Sequence, residues 1–96
     1  MLTLRIERGW VFVFHVDEAA GPVPSEAGLL SELLKLSADI APAKVGLDLE
    51  GRLVVVSNTP LRDLSPQSLQ ESIGACLSGV SAARSIVAGE RRFQLN

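Results

Sequence analysis

His15 and Cys76 are the only histidine and the only cysteine in the 96-residue sequence. Together they are the smallest set from which a thiol nucleophile could be built. The thiolate is the reactive form, and at neutral pH it needs a nearby imidazole or a helix N-terminus. An enzyme here would require Cys76 and His15 to lie close together. His15 sits in the run from Trp10 to Val16, Trp-Val-Phe-Val-Phe-His-Val, where a structural histidine is the simpler reading. Cys76 falls mid-way along a helical apolar stripe, away from any helix N-terminus, and reads as a small buried hydrophobe. One His and one Cys cannot supply a usual four-ligand zinc site. Asp48 and Glu50 stand two apart on a strand pattern, on one face. Paired carboxylates can do acid–base or cation work, but beside a hairpin turn these read as solvated charge. The sequence has no Gly-x-Ser-x-Gly elbow, phosphate loop or Gly-x-Gly-x-x-Gly turn. No catalytic residue, metal site or cofactor is therefore expected.

Composition narrows the partners. Nine Lys and Arg against eleven Asp and Glu give a formal charge of −2, and 47% of residues are apolar. Neutralising phosphates takes clustered cations, and the densest basic spot is Arg91-Arg92 beside Glu90, so nucleic acid is not an expected partner. A polybasic membrane patch is missing, and no run approaches the ~18–20 apolar residues of a membrane span. The opening Met-Leu-Thr-Leu-Arg-Ile-Glu alternates and carries charge, unlike a signal peptide. A lone cysteine precludes an internal disulfide and fits the reducing cytoplasm. Length and apolar content point to a single domain over residues 1–96, with a core that needs no disulfide.

The elements follow from periodicity. Leu2, Leu4 and Ile6 alternate with Thr3, Arg5 and Glu7, the pattern of a half-buried strand. Arg8-Gly9 turns the chain into a second strand, Trp10 to Val16. Trp10, Phe12, Phe14 and Val16 share one of its faces; Val11, Val13 and His15 share the other. With both faces apolar, this strand is expected to be central and covered on each side. Asp17 to Pro24 is a loop, Ser25 a helix N-cap, and Glu26 to Ala38 a helix carrying Leu29, Leu30, Leu33, Leu34 and Leu36. Val45, Leu47 and Leu49 alternate with Gly46, Asp48 and Glu50 as a third strand. Glu50-Gly51 turns it into a fourth, Leu53 to Val56. Asn58-Thr59-Pro60 is expected to break the sheet. Ser65-Pro66 opens a second helix, which Gly89 should stop after about Ala88. Glu90 to Asn96 is left ambiguous, since Phe93 and Leu95 alternate as a last short strand would. The architecture is α+β, an antiparallel sheet of two hairpins in the order β-β-α-β-β-α.

Five leucines between positions 29 and 36 span more than one helix face. Either this helix is sandwiched in the domain's own core, or the surplus forms a partner surface, most simply a symmetric dimer.

Leu33-Leu34-Lys35-Leu36-Ser37, then Lys44 through Val55 with its Asp48-x-x-Gly51 turn, then Thr59-Pro60 and Leu64 through Leu69 carry a resemblance. The stretch from Leu29 to Val87 resembles the bacterial type III secretion chaperone-like superfamily, which includes sensory-transduction regulators. Its motifs are mainly hydrophobic pattern. Ser37 stands where relatives usually have an Asn. The chain also opens in a strand where the family tends to open in a helix, so a trimmed version or another cover for that sheet face is expected. The resemblance implies a twisted antiparallel sheet, homodimerisation often through the middle helix, and non-enzymatic protein binding. The resulting expectation is a cytoplasmic homodimeric protein-binding or regulatory module, with Leu30, Leu34 and Trp10 at its partner or dimer interface. The alternative is a small-ligand sensor whose pocket, between sheet and helices, is lined by Trp10, Phe12 and Phe14.

Overall fold

In the computed structural model, residues 2–18, 21–24 and 26–95 are described, with side chains through Gly89. Strands β1 (Thr3–Glu7) and β2 (Trp10–Val16) form the first hairpin. Its two-residue turn has positive φ at both Arg8 (50°) and Gly9 (79°), the backbone that matches the right-handed twist of the strands. Helix α1 (Ala27–Asp39) follows, then β3 (Ala43–Leu47), β4 (Leu53–Pro60), one 3-10 turn at Leu61–Asp63 and helix α2 (Pro66–Leu95). The sheet is antiparallel throughout, in the order β1-β2-β4-β3, so β2 is central as expected.

Both helices pack on one face of the sheet. Leu29 and Leu33 of α1 meet Leu53, Val23 and α2's Ala83 and Val87 in one buried cluster. Val13, Ala43, Val55 and Cys76 form a second, with Leu2, Ile40, Ile73 and Val80 around it. Each such Leu or Val contributes roughly 1.5–3 kcal/mol of burial, which is what fixes the helices to this face. The expected cover on both sides of β2 is corrected accordingly. Val11 and Val13 are buried, but Phe12 and Phe14 are only half-buried and Trp10 is exposed. Among the described residues no helix lies over the second face.

Other expectations shift by local causes. β4 does not end at Val56. It continues to Pro60 because β2 offers a ladder that pairs Trp10 with Pro60 and Phe12 with Asn58. Proline's missing N–H is harmless at a strand end. The polar residues of this extension face suitable surroundings. Ser57 is buried, and its hydroxyl donates to Ser72 of α2 at 3.2 Å, while Asn58 is exposed. β3 ends at Leu47 rather than Glu50, because Asp48 turns the chain. Its carboxylate accepts the N–H groups of Glu50 and Arg52, both at 2.9 Å, and Gly51 takes φ 77°. α2 opens at Ser65-Pro66 as expected, by a reciprocal cap. Ser68 N–H donates to Ser65 Oγ at 3.0 Å and Ser65 N–H to Ser68 Oγ at 2.8 Å. The helix then runs through Gly89 to Leu95, so the tail is helical and not a strand. The expected Ser25 cap lies outside the described residues. The N-cap position of α1 is Glu26, with no side-chain cap.

By length and composition alone, Pro66–Gly89 of α2 would suit a bilayer, with a mean hydropathy of 1.2. Its buried stripe of Ser72, Cys76, Ala83 and Val87 lies within the protein core instead.

Candidate protein-binding surface

The open sheet face is built by strand parity. Residues paired in register point the same way, so Trp10, Phe12, Phe14 and Val16 of β2 share this face with Val54, Val56, Asn58 and Pro60 of β4. Arg5 of β1 lies here too, its guanidinium carbon 5.8 Å from the centre of the Phe14 ring. The result is an aromatic ridge flanked by valines and edged by charge. Since these aromatics turn away from both helices, the expected sensor pocket between sheet and helices does not have them as its lining. At one end of the ridge, Trp10, Gly9, Pro60, Leu61 and Arg62 border an open hollow of about 510 Å³.

The two sheet edges differ. In the β1–β2 hairpin the two-residue turn makes Glu7 and Trp10 a hydrogen-bonded pair, and the ladder alternates from there. The N–H and C=O groups of Leu4 and Ile6 therefore point outward along β1, and both side chains are exposed. That edge is open. The β3 edge is mostly closed by α1. Ser37 Oγ accepts the N–H of Val45 at 2.9 Å and donates to the same residue's C=O at 3.3 Å. Ala43 N–H is taken by Ile40 C=O at 2.9 Å. A covered edge resists adding a strand, whereas an open one invites it.

Beside that β3 edge lies an apolar groove of about 240 Å³, lined by Leu30, Leu33, Leu34, Val45, Gly46 and Leu47. Leu30 is half-buried in it and Leu34 is 71% exposed. The structure thus brings Leu30 and Leu34 together and leaves Trp10 on the other side of the sheet. Leu4, Ile6, Leu47 and Leu49 are also exposed and were not singled out from sequence.

The residues with chemical potential are held in structural roles. Cys76 Sγ donates to the carbonyl of Val13 at 3.4 Å, and burial pushes its pKa up, the opposite of what a nucleophile needs. His15 Nε2 instead faces Arg84 Nη2 at 3.2 Å. Arg84 also donates to the buried carboxylate of Asp17, Nε to Oδ2 at 3.1 Å. Among the described residues no group of three His, Cys, Asp or Glu is placed to hold a metal ion.

Asp48 is not a free surface carboxylate. The Arg52 N–H is the largest of the influences that hold its pKa below 3.8, joined by the Arg52 guanidinium, with Nε at 2.8 Å, and the Glu50 N–H. A depressed folded pKa means stability present above the ordinary value and lost as pH falls through the folded one. Asp48→Asn is expected to be less stable than wild type at neutral pH, and to lose less between about pH 4 and pH 2. Thermal melts across that range check it.

Comparison with solved structures identifies the architecture. The chain superposes on a chain of the heterodimeric complex ExoU–SpcU from the type III secretion system of Pseudomonas aeruginosa with a TM-score of 0.74. Identity is 22%, and the match covers 88% of this chain and 72% of that one. The fold is that of the type III secretion chaperones. A second match, to the HopA1–SchA chaperone–effector complex, has a TM-score of 0.63 at 20% identity, covering 88% of this chain and 66% of that one. No family model and no curated protein matches the sequence. The expected α+β sheet of two hairpins and the chaperone-like resemblance both stand.

Proposed function

We propose that this chain is a non-enzymatic, chaperone-like module of the cytoplasm that binds an extended segment of a partner protein and works as a homodimer. The observation that carries the reading is the unhelped sheet face, with the Trp10, Phe12 and Phe14 ridge beside an edge strand whose Leu4 and Ile6 are exposed. Trp10 is exposed at the end of a ridge that no helix among the described residues covers, and apolar surface left open in this way marks a binding face. An extended peptide along β1 would gain main-chain hydrogen bonds, while its side chains reach the ridge on one face and Leu4 and Ile6 on the other. The structural neighbours support the class of partner, since both are protein complexes, the first a heterodimer of a type III secretion system and the second a chaperone–effector complex. Nucleic acid and membrane are not partners in this reading.

Dimerisation would use the α1 groove. In light scattering at high micromolar concentration, wild type is expected at twice the chain mass and Leu30→Asp/Leu34→Asp at the chain mass. A monomeric wild type would sink the homodimer. For the partner surface, proteins that co-purify with wild type from the source cells are rebound in purified form. Trp10→Glu, with an unchanged melting temperature, is expected to bind them more weakly. Equal binding by both would remove the open face from the reading.

A further inference from the structure

We infer that the open sheet face receives an amphipathic helix of a partner protein, its apolar stripe seated on the Trp10, Phe12 and Phe14 ridge and bordered on both sides by Asp or Glu. The inference rests on the open face being a protein-binding surface and goes beyond the segment along β1. A strand added to β1 widens the sheet but lies beside the ridge, not over it. An element that covers β2 and β4 must sit on the face itself, where no ladder offers hydrogen bonds. A helix bonds its own backbone and so can pack on a sheet face, as α1 and α2 do on the opposite side.

Charge selects the partner. Lys35, Arg52, Arg62 and Arg84 are each ion-paired. Arg5, Arg8 and Lys44 have no carboxylate partner among the described residues, and all three are exposed. Register puts Arg5 and Lys44 on the open face. Arg5 pairs with Phe12 and its guanidinium lies over the Phe14 ring, while Lys44 pairs with Val56. Arg8 stands in the turn at the Trp10 end. Among the described strand residues of this face the one carboxylate is Glu7, so a chain of net charge −2 gives its apolar ridge a cationic border.

The dimensions suit a helix. Arg5 on β1 and Lys44 on β3 stand on the two outer strands, roughly 14 Å apart, and a helix with its side chains is roughly 10–12 Å across. The seven residues from Trp10 to Val16 run for roughly 20 Å, the length of about 13 helical residues. A helix laid along them turns one flank to Arg5 and the other to Lys44, and carboxylates on those flanks meet both cations. A nucleic-acid strand fits less well. Beyond Val16 and Val54, Arg52 is already held by Asp48, Glu50 and Glu18, and that acidic end repels a continuous phosphate chain.

Trp10 is the only tryptophan and lies on the ridge, so its emission reports occupancy. The probe is a peptide of about 14 residues without Trp or Tyr, carrying Leu at helical spacing and Glu on both borders of that stripe. A matched peptide carries Lys in place of Glu. Titrated into the full chain, the Glu peptide is expected to shift Trp10 emission to the blue and to bind about tenfold more tightly than the Lys peptide, the factor that two rim charge pairs supply. Arg5→Glu/Lys44→Glu, with wild-type circular dichroism, should invert that preference. If the reversed pair fails to fold, Arg5→Ser/Lys44→Ser is expected to bind the two peptides alike. Equal binding of both peptides by wild type overturns the acidic helix, as does tighter binding of oligothymidylate or of phosphatidylserine vesicles. Trp10 emission that is blue at high protein concentration and moves to the red on dilution puts a second copy on the ridge and overturns it too. These outcomes leave the open face as a binding surface, whereas partner binding unchanged in Trp10→Glu removes the face and this inference together.

Discussion

Gly79→Val is expected to lower the melting temperature by about 10–20 °C, a loss of roughly 2–3 kcal/mol for a domain of this size. At Gly79, α2 comes so close to the sheet that a Cβ would stand 2.9 Å from Ile40 Cδ1 and 2.9 Å from Val55 Cγ1. The Ile40 methyl is the end of a flexible side chain and can swing aside. Val55 cannot. It is β-branched, 1% exposed and mid-strand in β4, with β2 and β3 bonded on either side. The helix must therefore move off the sheet, which loosens Cys76 and Val80 as well. Gly74 is the control, since a Cβ there meets nothing within 4 Å. Gly74→Ala should gain up to about 1 kcal/mol of helix propensity and raise the melting temperature by several degrees. Circular dichroism melts of the two variants check both signs. A Gly79→Val melt close to wild type would mean that α2 does not rest on Val55 as described.

Local pattern revealed most of the fold because its elements are signalled locally. Alternation marked both hairpins, Arg8-Gly9 and Gly51 marked their turns, and Ser65-Pro66 marked the start of α2. The departures arise where a distant residue decides. Asn58, Thr59 and Pro60 look like a strand breaker alone, yet the free ladder of Trp10 to Phe12 carries β4 through them. Gly89 looks like a helix stop, yet α2 passes it. The apolar second face of β2 reads as buried. Alternation registers only that a face is apolar, and an open face and a core face have the same signature.

The candidate surface is legible in part for the same reason. The leucine surplus of α1 marked Leu30 and Leu34, because a single helix can bury only one stripe. Leu4, Ile6 and Leu47 have no such mark. Their exposure comes from β1 and β3 being the outer strands, and strand order is set by long-range pairing that no window of sequence contains. Leu49 alternates as a strand residue in the sequence, and it is the Asp48 carboxylate that places it in the turn instead. Ser37, which departs from the family's usual Asn, covers the β3 edge at Val45.

Arg84→Met is expected to destabilise the domain by about 2 kcal/mol in denaturant unfolding, and Asp17→Asn to recover part of that loss. Asp17 and Arg84 are 67 residues apart in sequence, which is why neither was singled out. Asp17 follows β2, and its N–H is committed to Leu53 C=O at 2.8 Å, which fixes the backbone from which the carboxylate projects. The side chain is 4% exposed, whereas that of Arg84 is 53% exposed. Removing one partner of a buried pair costs about 3–5 kcal/mol, because the other charge is left in a poor solvent. Here the guanidinium is half in water, which screens the pair and reduces the figure. Methionine keeps most of the aliphatic stem, so lost packing is minimised and the charge is what changes. In Arg84→Met the carboxylate stays buried and loses the guanidinium. In Asp17→Asn/Arg84→Met the charge is gone from both sides, so the double variant should be more stable than Arg84→Met alone. That ordering is the signature of an electrostatic tie between β2 and α2. If the double variant is the less stable of the two, Arg84 acts through packing, and His15 Nε2, 3.2 Å from its Nη2, becomes the contact to test next.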